Sequence, residues 1–451
     1  MGARLTDSEL YAHLWGTPEL REVFDERARL ASWIEILATL AEVQAGMGIV
    51  PAQAAAAIRE RASVDRLDLE RVAEETRRTG HSTLGLIHGL REILPPEAAE
   101  WIYYGITVQD LTDTWTALAV RRTGEVVWRD LFAVEGSLLD LAERTRDVPM
   151  AGRTHGQAGA PITLGFKVAG WADEVRRGLD RLREGAPRWL VGQLGGAVGT
   201  QGFFGEAGPE LRRRFCERLG LGDPGISWTS ARDRIAEVGT TMASSAGTLA
   251  RIGNEVYQLQ RSEIAELREP SGEGTVGSIT MPHKRNPEAS EHLVTLSRLV
   301  RHGAAVLLEG QVQEHERDGR GWKAEWVALP EVCLLTGTAA ALARDMVERL
   351  EVDEEAMGRN LGPHASSEAA LAALAPRVGK HRAQELLQEA LARGAGAASL
   401  EEALRGHPEL AEQIDDEVLA ALRGPATGSA GAQVDEVLVR IRRAREGDRW
   451  P

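Results

Sequence analysis

An elongated, three-part, all-α protein with a central bundle of long helices is the fold this sequence predicts. Three observations carry that prediction. Apolar residues recur at three- and four-residue steps over runs well beyond the mean helix of roughly 11–12 residues. Only 5% of the 451 residues are aromatic, so the apolar stripes must pack mainly as aliphatic helix faces. No alternating Val/Ile/Thr run stands beside an Asn-Gly or Asp-Gly turn, so no β-hairpin is expected.

The elements follow in order. Leu30, Trp33, Ile34, Leu37, Leu40 and Ala41 form one stripe, which stops near residues 46–51. Residues 91–104, with Pro95 and Pro96, read as a hinge. A second helix is expected from 113 to about 146, closed by Val148 and Pro149. A third follows Pro161 to about 184, a fourth spans 233–267, and a fifth opens at Pro287. Beyond Val352 the pattern shortens, broken at 358–363, 393–398 and 424–431. The expected division is an N-terminal helical part (1–105), a central long-helix bundle carrying a glycine-rich loop at 271–287 (106–351), and a small C-terminal helical part (352–451).

Composition narrows the function classes. With 53 Lys and Arg against 68 Asp and Glu, the formal charge is −15, which makes nucleic acid and anionic lipid poor partners. The first twenty residues hold no apolar signal core, and nowhere do about 18 uncharged apolar residues run together. A cytoplasmic protein is expected. Cys216 and Cys333 are too few for a disulfide framework or a cysteine zinc site, and neither metal nor cofactor is expected.

The most informative stretch is 271–291, SGEGTVGSITMPHKRNPEASE. Its glycines cannot sustain a helix, so it reads as a loop. Gly272, Gly274 and Gly277 fit GxGxxG, but the preceding residues 261–269 read as helix rather than strand, which excludes a dinucleotide fingerprint. Asn286 and Pro287 read as the N-cap and first position of a helix, and that N-terminus with Lys284 makes a place for a carboxylate. In 152–165, GRTHGQAGAPITLG, His155 is either an acid–base group or a surface histidine. In 104–113, YGITVQDLTD, Thr107, Gln109 and Asp110 read first as a helix cap. His81 and His88 share a helical face without the further ligands a metal needs. Trp322 and Trp326, four apart, read as core packing.

Together these stretches resemble the aspartase/fumarase lyases, which include adenylosuccinate lyase, argininosuccinate lyase and bacterial 3-carboxy-cis,cis-muconate cycloisomerase. GSITMPHKRNP resembles the superfamily signature GSSxMPxKxNP, GRTHGQ the second motif, and YGITVQD the first, GxTSxD. The N-terminal TPELREVFDERARLASWIEI is similar to the start of the adenylosuccinate lyase and cycloisomerase branches. The resemblance implies a homotetramer whose active sites are shared between subunits, acting on a small dicarboxylate. It implies Ser278 as the base, His155 as the general acid and Glu291 as its charge partner. Lys284, Asn286, Thr107, His81 and Arg232 fall to substrate binding.

Departures from the pattern bear on the substrate. Val108 and Ile279 stand where the motifs carry serines. Trp322, Lys323 and Trp326 occupy the region where adenylosuccinate lyases carry a Ser and an Arg for the nucleotide phosphate. Losing a bidentate Arg disfavours that substrate. The leading expectation is therefore a C–N lyase that releases fumarate from a smaller substituted succinate with an amine-like or nitro leaving group, through an aci-carboxylate carbanion. The alternative is a 3-carboxymuconate cycloisomerase. Behind these stand adenylosuccinate lyase itself and a catalytically weak tetrameric scaffold.

Overall fold

The computed structural model describes residues 4–272, 276–362, 365–394, 397, 399–422 and 424–451. Helices dominate it. The N-terminal part supplies α1 (Pro18–Phe24), α2 (Glu26–Gly46), α3 (Leu69–Thr79) and α4 (Leu84–Ile93). The centre is built from α5 (Val108–Arg144), α6 (Leu164–Trp189), α7 (Asp233–Leu259), α8 (Glu288–Glu309) and α9 (Gly319–Glu348). At 37 residues, α5 runs about 55 Å. Its buried Val120, Gly124, Val127, Leu131, Val134, Leu138 and Leu141 follow steps of three and four, so one stripe faces α6 and α9 throughout. Among the described residues, α9 is the one helix long and apolar enough to cross a membrane, and 67% of its most apolar window is buried in the protein. Helix–helix packing accounts for that apolarity.

One continuous apolar core joins the N-terminal helices to the bundle. A second, separate core lies within 370–418, around Leu374, Leu386 and Leu404. The last helix, α12 (Ala430–Arg445), does not join it. Its Val434, Leu438 and Ile441 pack into the main core, against α5 and α6. Between these lie α10 (Ser367–Val378) and α11 (Lys380–Arg393). Residues 352–451 thus feed two cores.

Three local expectations give way. A hairpin exists: β1 (Pro149–Thr154) pairs antiparallel with β2 (Gln157–Thr163), Thr154 opposite Gln157. Its turn is His155–Gly156, with φ of 52° and 75°. That pair of positive angles belongs to a two-residue primed turn, which Asn-Gly and Asp-Gly usually supply; here histidine takes the Asn position. Pro161 lies in β2, and the third long helix begins at Leu164, where Thr163 Oγ1 accepts from the Phe166 amide at 3.1 Å. The fourth helix ends at Leu259 rather than 267. The chain then turns, with Ala265 at φ 53°, and β3 (Leu267–Arg268) pairs with β4 (Glu351–Val352). The segment before the glycine-rich loop is therefore not helix. A dinucleotide fingerprint still fails, because the next helix starts only at Glu288, and Gly274 lies outside the described residues.

Candidate active site

Three loops carry the candidate chemistry. The first leads into α8. Residues 276–287 form a loop that folds back on itself: a Cβ on Gly277 would lie 2.3 Å from the Lys284 carbonyl oxygen, so only glycine fits there. Ser278 is half-buried, and its Oγ accepts from the Met281 amide at 3.0 Å. Lys284 is exposed and has no carboxylate partner among the described residues, while Asn286 Nδ2 donates to Glu288 at 3.2 Å. Asn286 does not cap α8. That work falls to Glu269, whose carboxylate accepts from the Ala289 and Ser290 amides, each at 3.0 Å, and from Ser290 Oγ at 2.9 Å. A carboxylate some twenty residues upstream replaces the local cap because the loop passes close over the helix start, where unsatisfied amides and the helix dipole favour negative charge.

The second cluster is at the start of α5. Asp110 is 1% exposed and accepts from the amides of Thr107 at 3.0 Å, Gly195 at 2.7 Å and Gly196 at 2.9 Å. Burial pushes its carboxyl up to about 6, against the downward pull of those three bonds. The cap reading of this motif holds, and it reaches further than a cap by tying down the glycine-rich 192–199 segment. Thr107 Oγ1 accepts from Arg317 at 3.1 Å, and Arg317 also donates to the Gly196 carbonyl at 3.4 Å. Among the described residues no carboxylate pairs with Arg317, and its Nε lies buried without a partner. Arg317 was not among the residues that the sequence singled out. The signal that could have found it was an Arg beside Asp318, which looks paired in sequence, whereas Asp318 is taken by Arg320.

The third is the hairpin. His155 stands exposed at its tip, without a hydrogen-bond partner among the described residues. Two residues earlier, Arg153 makes a forked pair with Glu266 at 2.9 and 2.6 Å, and Asn360 also donates to Glu266 at 2.9 Å. Glu266 is fully buried, so this network fixes the hairpin to the β3–β4 corner.

Within one chain, then, Thr107 and Arg317 are brought together, and Ser278, Lys284 and Asn286 share a loop. No hydrogen bond or ion pair joins His155 to Ser278, to Thr107 or to Glu291, which is exposed on the first turn of α8. His81 is exposed between α3 and α4, its Nδ1 accepting from the Thr83 amide at 3.4 Å.

Arg232 is a correction. Expected at the substrate, it is 1% exposed and spends its guanidinium on two buried carboxylates, Asp113 at 2.8 and 3.1 Å and Glu325 at 2.9 Å from Nε. It clamps α5 to α9 from the start of α7. Burial pushes Glu325 up while Arg232 holds it down. With four of its five N–H donors taken by these buried acids, Arg232 serves as an internal clamp. Among the described residues, no three His, Cys, Asp or Glu side chains gather as a metal site.

An all-α lyase is the class of protein that this bundle and these loops define. A family profile described as lyase matches residues 15–301. The chain is 39% identical over 444 residues to N-acetyl-S-(2-succino)cysteine lyase of Dickeya dadantii, covering 97% of this chain and 98% of that protein. It is 36% identical over 435 residues to adenylosuccinate lyase of Methanocaldococcus jannaschii, covering 94% of each. It superposes on the crystal structure of 3-carboxy-cis,cis-muconate lactonizing enzyme from Pseudomonas putida with a TM-score of 0.90 and 33% identity, covering 97% of this chain and 99% of that one. The chain belongs to the lyase family, within the aspartase/fumarase superfamily.

Proposed function

We propose that the protein releases fumarate from a 2-substituted succinate, and that the leaving atom is the sulfur of a thiol. The observation that carries the proposal is the Thr107–Arg317 contact at the start of α5. A hydroxyl, a helix N-terminus and a guanidinium without an acidic partner meet there, which suits a carboxylate. Lys284 on the Ser278 loop offers a second cation for the other carboxylate of a succinate.

Ser278 Oγ takes the proton from the carbon beside one carboxylate, giving an aci-carboxylate. The Met281 amide, already donating to that oxygen, lowers the energy of the alkoxide it requires. The carbon–sulfur bond then breaks as the double bond forms, and His155 returns a proton to the departing sulfur, with Glu291 supporting its charge. A thiol, with an ordinary pKa of roughly 8.5, leaves with less protonation than an amine. Sulfur replaces the amine-like or nitro group expected from sequence because a relative that matches nearly the whole chain is named for an S-succinylated cysteine. That His155 meets neither Ser278 nor Glu291 within one chain fits a site completed by other copies of the chain in a homotetramer.

A second reading, cycloisomerisation of a carboxymuconate, draws on Trp322 and Trp326 and on the Pseudomonas putida likeness. One assay decides between them. Fumarate is followed with N-acetyl-S-(2-succino)cysteine, 2-(methylthio)succinate, adenylosuccinate, argininosuccinate, aspartate, nitrosuccinate and hydrazinosuccinate, with 3-carboxymuconate run alongside. Fumarate from a thiosuccinate, abolished in Ser278→Ala, is the expected result. Turnover of carboxymuconate alone, or a Ser278→Ala variant as fast as the parent, sinks the proposal.

A further inference from the structure

Beside the α5 start lies a cavity of about 390 Å³, within the size range of small-molecule sites. Its walls come from α2, α5 and α9, with α3 and α4 closing one side. They are aromatic to an unusual degree for a chain with so few aromatic residues. Trp322 and Trp326 meet edge to face at 4.8 Å, and Trp33 and Trp115 at 6.5 Å. Phe24 closes on Trp115 at 6.1 Å. The sequence reading of Trp322 and Trp326 as plain core is therefore incomplete: Trp322 is 7% exposed, but Trp326 is 42% exposed and both line the cavity.

The charge of this cavity is specific. Asp113 and Glu325 border it but are committed to Arg232. Glu26 and Arg77 stand exposed at the rim, open to solvent. Arg29 remains. Its guanidinium lies over Trp33 and Trp115, at 5.9 and 5.8 Å from their centroids, and among the described residues no carboxylate pairs with it. Within cation–π reach of both indoles and half-buried, it is placed for an anion carried on an apolar body.

The cavity is lined by residues that follow the candidate-site residues closely in sequence. Thr112 in its wall lies five residues along α5 from Thr107, about 7.5 Å of helix rise. Trp322 follows Arg317 by five residues, and Ser82 in the wall adjoins His81.

We infer that this cavity receives the far end of the leaving group: a carboxylate on Arg29 and an aromatic or similarly bulky acyl group among the tryptophans. This rests on the proposed thiol elimination and names its substrate class, S-(2-succino)cysteines acylated on nitrogen by a group larger than acetyl. Stacking and burial of the acyl group supply the discrimination, and Arg29 orients it through the cysteine carboxylate.

The test compares N-benzoyl- with N-acetyl-S-(2-succino)cysteine. The benzoyl compound has the higher kcat/KM, by about tenfold or more. Trp326→Ala brings that ratio toward one, and Trp322→Phe, which keeps the core filled, reduces it. Equal values for the two substrates, or a ratio untouched in both variants, overturns the inference. Fumarate from 2-(methylthio)succinate tests the elimination alone, so failure there is told apart from failure of the cavity. Binding is read without turnover: N-benzoylcysteine quenches tryptophan fluorescence in the parent and binds about tenfold more weakly to Arg29→Gln. Unchanged binding in that variant also overturns the inference.

Discussion

Asp110 shows how one side chain can be both a cap and a site support. Its carboxylate accepts three amides, so in its ionised form it fixes Thr107 and the Gly195–Gly196 backbone at once. Its pKa is raised from 3.8 to about 6, which means the folded chain holds this proton more tightly than the unfolded one. The stability from that proton is therefore complete below 3.8 and is lost as pH rises through about 6. The geometry runs the other way: protonation below about 6 removes an acceptor that the amides need. Activity is expected to fall on the acid side with an apparent pKa near 6, and Asp110→Asn to flatten that limb of the kcat/KM profile. The same variant presents NH2 to an amide donor, and a denaturant midpoint should record a loss of about 1–3 kcal/mol. Arg232 teaches the opposite lesson. An Arg near a motif invites a ligand role, yet two buried carboxylates that are remote in sequence, Asp113 and Glu325, already claim it.

At the level of elements, the β1–β2 hairpin is the device that presents His155. The turn alone would leave it loose, since a two-stranded hairpin is marginal in water. The forked Arg153–Glu266 pair, with Asn360 behind it, ties it to a second small sheet. Arg153→Lys keeps the charge but loses the fork. The expected outcome is a kcat lower by about tenfold with KM little changed, and a shift in the basic limb of the pH profile as the His155 geometry loosens. A merely structural role would lower the melting temperature and leave the pH profile alone. The hairpin was hidden from sequence reading because its turn is His-Gly and its strands carry Gly, Ala and Pro instead of alternating β-branched residues. The start of α8 was hidden for a related reason. A local cap was legible in Asn286 and Pro287, but a cap arriving from Glu269 is a tertiary contact.

For the whole molecule, the distribution of the motifs over one chain matters most. Ser278, Thr107 and His155 sit on separate loops with no bond between them. Apolar side chains stand exposed along the bundle, including Tyr257 on α7, Leu299 and Leu308 on α8, and Val327 on α9. Those exposed faces suit burial against other copies. Sedimentation should give four times the 48.9 kDa chain mass. Ser278→Ala and His155→Ala, each inactive alone, should recover activity when unfolded together and reassembled. A monomer, or no recovery from the mixture, would place the whole site in one chain.

Taken by itself, the sequence determined the helical class, the order of the long helices and the three motif loops. Those depend on the period of apolar residues and on glycine and proline placement, which act within a few positions of the chain. The motifs also carried the family, because their residue types and order are local patterns. Tertiary structure alone decided which charged groups are free to meet a substrate. Among the described residues, Arg317 is left without an acid while Arg232 takes two, and Arg29 sits unpaired beside two indoles while Trp326 lines a cavity. Each of those outcomes depends on partners tens to hundreds of residues away, whose approach is set by helix packing and by the dielectric cost of leaving a buried charge alone.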